Sequence, residues 1–151
     1  MKANTLMARS WPRIETLRRV TTLCSALSEL AIGPLVEHKG ATVFRELITQ
    51  GLGDPVPADL TGYEALTNKI HVSDYVEAGC AGDALLVQGM LFAEAVLHRL
   101  AETRKPARVL LSRDVQSGEV TVRFFVRRPA QPWGADNPDD YQAEEVVQWD
   151  V

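Results

Sequence analysis

The stretch DALLVQGMLFAEAVLHRLAETRKPARVLLSRDVQSGEVTVRFFV (residues 83–126) decides how the rest of the chain must fold. Leu86, Met90, Ala93, Leu97 and Leu100 recur at intervals of four, three, four and three residues, which aligns them on one side of a helix. Leu85, Phe92 and Val96 broaden that stripe, so the helix is expected to be buried on more than one side. Asp83 stands where a cap would. Gly89 costs about 1 kcal/mol relative to alanine inside a helix, which implies that it packs closely on a neighbour. The chain then turns at Lys105 and Pro106, and residues 107–113 read as a strand. A second strand over 119–128 alternates strictly. Val120, Val122, Phe124 and Val126 point one way, and Thr121, Arg123, Phe125 and Arg127 the other. Residues 114–118 close the pair as a hairpin whose Gly118 supplies positive φ. A broad apolar helix followed directly by a hairpin needs a sheet to cover.

Upstream, residues 1–9 read as a flexible leader, and Ser10 as the cap of a helix carrying Trp11 and Pro12 in its first turn. Ile14, Leu17, Thr21, Cys24, Leu27 and Ala31 keep helical spacing until Gly33-Pro34 stops it. Val43, Phe44, Leu47 and Ile48 fit a short helix over 42–50, ended by Gly51, better than a strand. Residues 52–60, with Gly53, Pro55 and Pro57, read as irregular. Thr61 and Glu64 have capping-box spacing, and residues 69–72 alternate as an edge strand. Val147, Trp149 and Val151 share one face of a final strand beginning at Glu144. The expectation is a single α+β domain over 10–151. Its antiparallel sheet of three to four C-terminal strands packs on the long central helix and the N-terminal helices.

A chain of 151 residues suits one domain, long enough to bury about 70% of its unfolded surface. Its net charge of −4 argues against a nucleic-acid binder. No apolar run reaches the roughly 18–20 residues of a membrane span, and residues 1–10 lack the apolar core of a secretory leader. A cytoplasmic chain with Cys24 and Cys80 reduced is therefore expected. Charge is nevertheless uneven. Seven basic side chains fall within 104–128, whereas residues 129–151 carry six acids and no base. Cross-strand pairing of a basic strand with an acidic one is the preferred reading over an acidic face for a cationic partner.

Chemical signatures are few. No phosphate loop, dinucleotide fingerprint or nucleophile elbow is present, and the glycines at 79 and 82 make at most a weak anion site beside Asp83. His38, His71 and His98 are far apart, with no zinc spacing, so no metal, cofactor or catalytic group is expected. His98 reads as structural, near the C-terminal end of the central helix. An alternative is a small enzyme or ligand site near Cys80, His71 and Asp74, where the following helix N-terminus would lower the thiol pKa. A further alternative is a homodimeric structural subunit joined through the Phe125 face or an exposed sheet edge.

About fourteen residues, 129–142, separate two presumed neighbouring strands where a hairpin commonly uses two to five. Trp133, Asp136, Asp139, Asp140 and Tyr141 lie there, with Glu144 just beyond. They read either as a loop plugging the end of the sheet or as an acidic, aromatic binding loop. Val122-Arg-Phe-Phe-Val-Arg-Arg-Pro129, Trp133, Asp139-Asp-Tyr141 and the acidic strand 144–150 together resemble the ending of small immunity proteins from bacterial polymorphic-toxin systems. The resemblance covers the last third of the chain. It implies an acidic cytoplasmic protein that binds and neutralises a toxin domain. On that reading Trp133 and Tyr141 anchor a basic protein partner while Asp136, Asp139, Asp140 and Glu144 steer it.

Overall fold

The computed structural model describes residues 1–49 and 59–151; the expected end of a helix at Gly51 and the irregular stretch after it lie outside these. Three long strands form the sheet's centre: β5 (Ala107–Asp114), β6 (Val120–Val126) and β7 (Glu144–Asp150). Two-residue strands flank them, β1 (Lys2–Ala3) beside β7 and β4 (Ile70–His71) beside β6. The antiparallel order is β1-β7-β5-β6-β4. The expected α+β class is therefore present, with five strands rather than three or four. The edge strand expected at 69–72 is present as β4; the added strand is β1 at the other edge, too short for alternation to reveal.

Register explains which side chains face inward. Val109 lies opposite Phe124 and Trp149, and Leu111 opposite Val122 and Val147. With Val120 these make one apolar face. Against it lies α5 (Gly82–Thr103), which also packs on α1 (Thr5–Arg18) and α2 (Ser25–Ile32). Leu85, Leu86, Met90, Phe92, Ala93, Val96 and Leu100 are all buried, as the width of the stripe requires. By length and composition α5 is apolar enough to cross a membrane, but here it is the core helix. A Cβ on Gly89 would lie 2.8 Å from both Leu111 and Val120, so the missing side chain is what brings helix and sheet together. Asp83 does not cap α5. The N-cap is Ala81, and Asp83 instead pairs with Arg13 and Arg113 at 2.9 Å each.

The N-terminal expectations need correction. Residues 2–9 are built into the domain rather than trailing from it as a leader. Lys2 and Ala3 pair with Gln148 and Val147, and Met7 is fully buried. Asn4 caps α1 by accepting from Met7 N–H, accepts from Val146 N–H, and donates to the carbonyls of Tyr141 and Glu144. One side chain thereby starts a helix and fastens it to β7. Pro12 is consequently inside α1, not in its first turn. The helix expected to run to Ala31 breaks after Arg18. The Gln88 side chain holds the linker, donating to Thr22 O and accepting from Cys24 N–H at 2.9 Å each.

A two-stranded ribbon of β2 (Leu35–His38) and β3 (Ala41–Phe44) occupies part of the region read as a helix. Lys39 and Gly40 both have positive φ, the geometry of a two-residue hairpin turn. Only Arg45–Thr49 is helical there, as α3. The helix α4 (Leu60–Thr67) ties the ribbon to β6, and its N-cap is Asp59 rather than Thr61. Glu64 is not a capping-box partner but a wholly buried carboxylate. It accepts from Thr42 N–H and Val126 N–H at 2.7 Å and from both terminal nitrogens of Arg128. One turn on, Asn68 accepts from Phe44 N–H and donates to Thr42 O and Phe124 O.

Candidate binding surface across the outer face of the sheet

The face of the sheet away from α5 carries Arg108, Leu110 and Ser112 of β5, and Thr121, Arg123 and Phe125 of β6. From β7 it carries Glu144, Val146, Gln148 and Asp150. Residues 129–143 cross this face as a strap. Trp133 meets the edge of Phe125 with ring centroids 5.1 Å apart, and the Arg123 guanidinium lies 5.2 Å from the indole centre. Burial pushes the Arg123 pKa down, while the Glu144 carboxylate and the Trp133 indole face both favour its charge. Gly134 needs its φ of +69°. A Cβ there would also stand 2.6 Å from the Tyr141 hydroxyl, which accepts from Ala135 N–H at 2.9 Å.

Arg108 fixes the middle of the strap. Though only 4% exposed, it donates to both carboxylate oxygens of Asp150, at 2.7 and 3.2 Å. Its third nitrogen reaches Asp136 at 3.0 Å and the Ala135 carbonyl at 3.3 Å. The Arg108 contact holds the Asp150 carboxyl below the usual range. On the opposite face Arg113 reaches Asp83 and Glu145, and Glu145 in turn accepts from Ser10. Neighbouring basic and acidic strands thus neutralise each other, as cross-strand pairing requires.

The six residues read as a binding surface meet different fates. Asp139 accepts from the amide and hydroxyl of Thr5 at 2.7 and 2.9 Å, which lowers its pKa, so it serves the start of α1. Tyr141 and Trp133 are half-buried and brace the strap. Glu144 is half-buried on the outer face, and Glu145 points the other way. Asp136 keeps 83% of its side chain exposed despite Arg108, and Asp140 is exposed, its carboxylate making no hydrogen bond among the described residues. Trp133, Asp136 and Asp140 therefore keep surface open along the strap's rim, Trp133 and Asp136 together at a cleft and Asp140 nearer β1 and β7.

Beside that rim is a feature that spacing in the sequence did not disclose, a cleft of about 410 Å³. Phe125, Trp133, Pro106, Pro129 and Pro132 form apolar walls. Arg108, Arg127 and Arg128 also line it, with Asp136 their one acidic neighbour on the lining. Arg127 and Arg128 follow β6 directly, but nothing in their spacing reveals that Pro106 and the strap return to meet them.

The Cys80 alternative is not assembled. His71 Nδ1 lies 3.0 Å from Glu119, which also accepts from Ser73 at 3.2 Å. His71 and Asp74 line a shallow cleft of about 240 Å³ that does not include Cys80. Burial, with Cys24 nearby, pushes the Cys80 thiol up, the reverse of the expected effect of a helix start. Among the described residues no three His, Cys, Asp or Glu side chains gather to hold a metal.

The structure defines a small α+β domain: helices on one face of a five-stranded sheet, a packed strap with a cleft at its edge on the other. The chain belongs to the uncharacterized protein PM0498 family, whose model matches residues 2–151. No curated protein and no solved structure matches it.

Proposed function

We propose that the chain is a cytoplasmic protein-binding module of the immunity type, which neutralises a basic toxin domain through the rim of the strap. The observation that carries this reading is the placement of Trp133, Asp136 and Asp140 on a long loop that is already ordered. Hydrogen bonds from Arg108, Gln148 and Asn4 hold it to the rest of the domain, and within it the Tyr141 hydroxyl accepts from Ala135 N–H. A partner meeting such a loop loses little free energy to ordering it, which is how preorganised surfaces gain affinity. The likeness of residues 122–150 to immunity-protein endings supports the inhibitor class. Asp139 and Tyr141, engaged within the strap, contribute by holding it rather than by direct contact.

The test is a comparison of variants. Wild-type chain immobilised at low salt is expected to retain a basic protein from cytosol of the source organism. Trp133→Ala should then weaken binding by about 2 kcal/mol, the size of an interface anchor. The double change Asp136→Asn with Asp140→Asn should mainly slow association and flatten its salt dependence. Binding unchanged in both variants removes the rim as the contact surface.

A further inference from the structure

From the cleft beside the rim we infer that it receives the C-terminal residue of a partner chain: an apolar side chain between Trp133 and the prolines, and the terminal carboxylate on Arg127. This rests on the binding-module reading and specifies what the partner presents.

Three observations carry it. First, the cleft's volume of about 410 Å³ falls at the small end of the roughly 300–1,000 Å³ of ligand sites. That is room for a terminal residue or two, not for a helix or a strand. Second, its lining combines aromatic rings and prolines with three guanidinium groups, Arg108 standing beside Phe125 across the β5–β6 pair. An occupant must offer an apolar group and an anion close together, and a chain terminus carries both on one residue. Third, the three arginines differ in how far they are already engaged. Arg108 is held by Asp150 and Asp136, and Arg128 by Glu64, Thr61 and Val126 O. Arg127 is different. Its guanidinium is 46% exposed and makes no hydrogen bond among the described residues, and its nearest carboxylate oxygens are 3.5 Å away on Asp150 and 4.0 Å on Asp136. Its backbone is meanwhile pinned, because its amide donates to Pro106 O at 2.8 Å. A fixed backbone with a guanidinium only loosely paired to Asp150 and Asp136 suits two-point recognition of a carboxylate.

The test uses the full chain and three probes: acetyl-Ala-Ala-Phe with a free C-terminus, the same peptide as its C-terminal amide, and 3-phenylpropionate. Each is titrated into isotope-labelled protein while the Trp133 indole and Arg127 side-chain resonances are followed. The free acid is expected to shift both and to saturate, with the amide at least about tenfold weaker. Arg127→Gln should bring the acid-to-amide ratio close to one without moving the thermal unfolding midpoint, since so exposed a pair adds little stability. Equal binding of acid and amide, shifts confined to other regions, or an unchanged ratio in Arg127→Gln overturns the inference. Binding of 3-phenylpropionate as tight as that of the peptide overturns the chain-terminus assignment in favour of a free small carboxylate. These outcomes are separate from loss or retention of the basic partner in the rim variants, so either reading can fail alone.

Discussion

Single side chains with several partners organise this molecule, and Glu64 is the clearest. Its two oxygens take four hydrogen bonds from three residues, Thr42, Val126 and Arg128, with no access to water. In Glu64→Gln an amide NH₂ must face a backbone N–H, and Arg128 loses its counter-charge. The expected cost is about 3 kcal/mol, read as a lower midpoint in urea unfolding. Acid titration checks the exposed network. Asp83 is held low first by Arg13, and Asp150 first by Arg108. Since their folded pKa values lie below the ordinary 3.8, their stabilisation is complete above that value. It is lost as pH falls through the folded values. Their share of the fall in unfolding midpoint should therefore appear only below about pH 4, and Asp83→Asn should shrink it. None of these partnerships shows in spacing. A buried glutamate three residues after a threonine has the same local pattern as a capping box, and only the distant strands decide between them.

At the level of elements, α5 was the most legible, because a broad apolar stripe over 22 residues permits one conformation and one environment. Gly89 tests its packing. Alanine normally gains about 1 kcal/mol over glycine inside a helix. Here the added methyl meets Leu111 and Val120 at 2.8 Å, both fully buried, so Gly89→Ala should be destabilising by about 1 kcal/mol or more. A rise in thermal midpoint would show that the sheet yields. At the end of α5, Arg104 adopts left-handed geometry with φ of 57°, exposed to solvent. Arg104→Gly removes that strain and should raise stability by about 0.5–1 kcal/mol in the same measurement. The less legible elements were short ones. Val43 and Phe44 fit a helical pattern as well as a strand one, and the hairpin rests on the positive φ of Lys39 and Gly40, which periodicity does not register.

Across the whole molecule, the basic and acidic blocks of the last fifty residues are spent on one another in part, through Arg108 with Asp150 and Arg113 with Glu145, while Lys105 and Arg128 pair with Glu37 and Glu64 upstream. What remains for a partner is the rim of Trp133, Asp136 and Asp140 with the cleft beside it, less acidic than composition alone implies. The thiol alternative is checked directly. With burial raising its pKa, Cys80 should alkylate with iodoacetamide at neutral pH more slowly than free cysteine. Fast labelling would reopen that site.

The sequence by itself determined the central helix, the β5–β6 hairpin, the α+β class and the exceptional length of the loop before β7. Each of these depends on periodicity or turn chemistry within a few residues, where local sterics and burial of one face settle the outcome. Tertiary structure alone decided that residues 2–9 join the sheet, that Glu64 and Asn68 clamp a ribbon to it, and that Asp139 and Tyr141 brace rather than project. It also placed Arg127 on the lining of a cleft. Those features arise from groups far apart in the chain, such as Asn4 and Val146 at a separation of 142 residues, whose meeting is fixed by strand order and register and leaves no periodic trace in the chain.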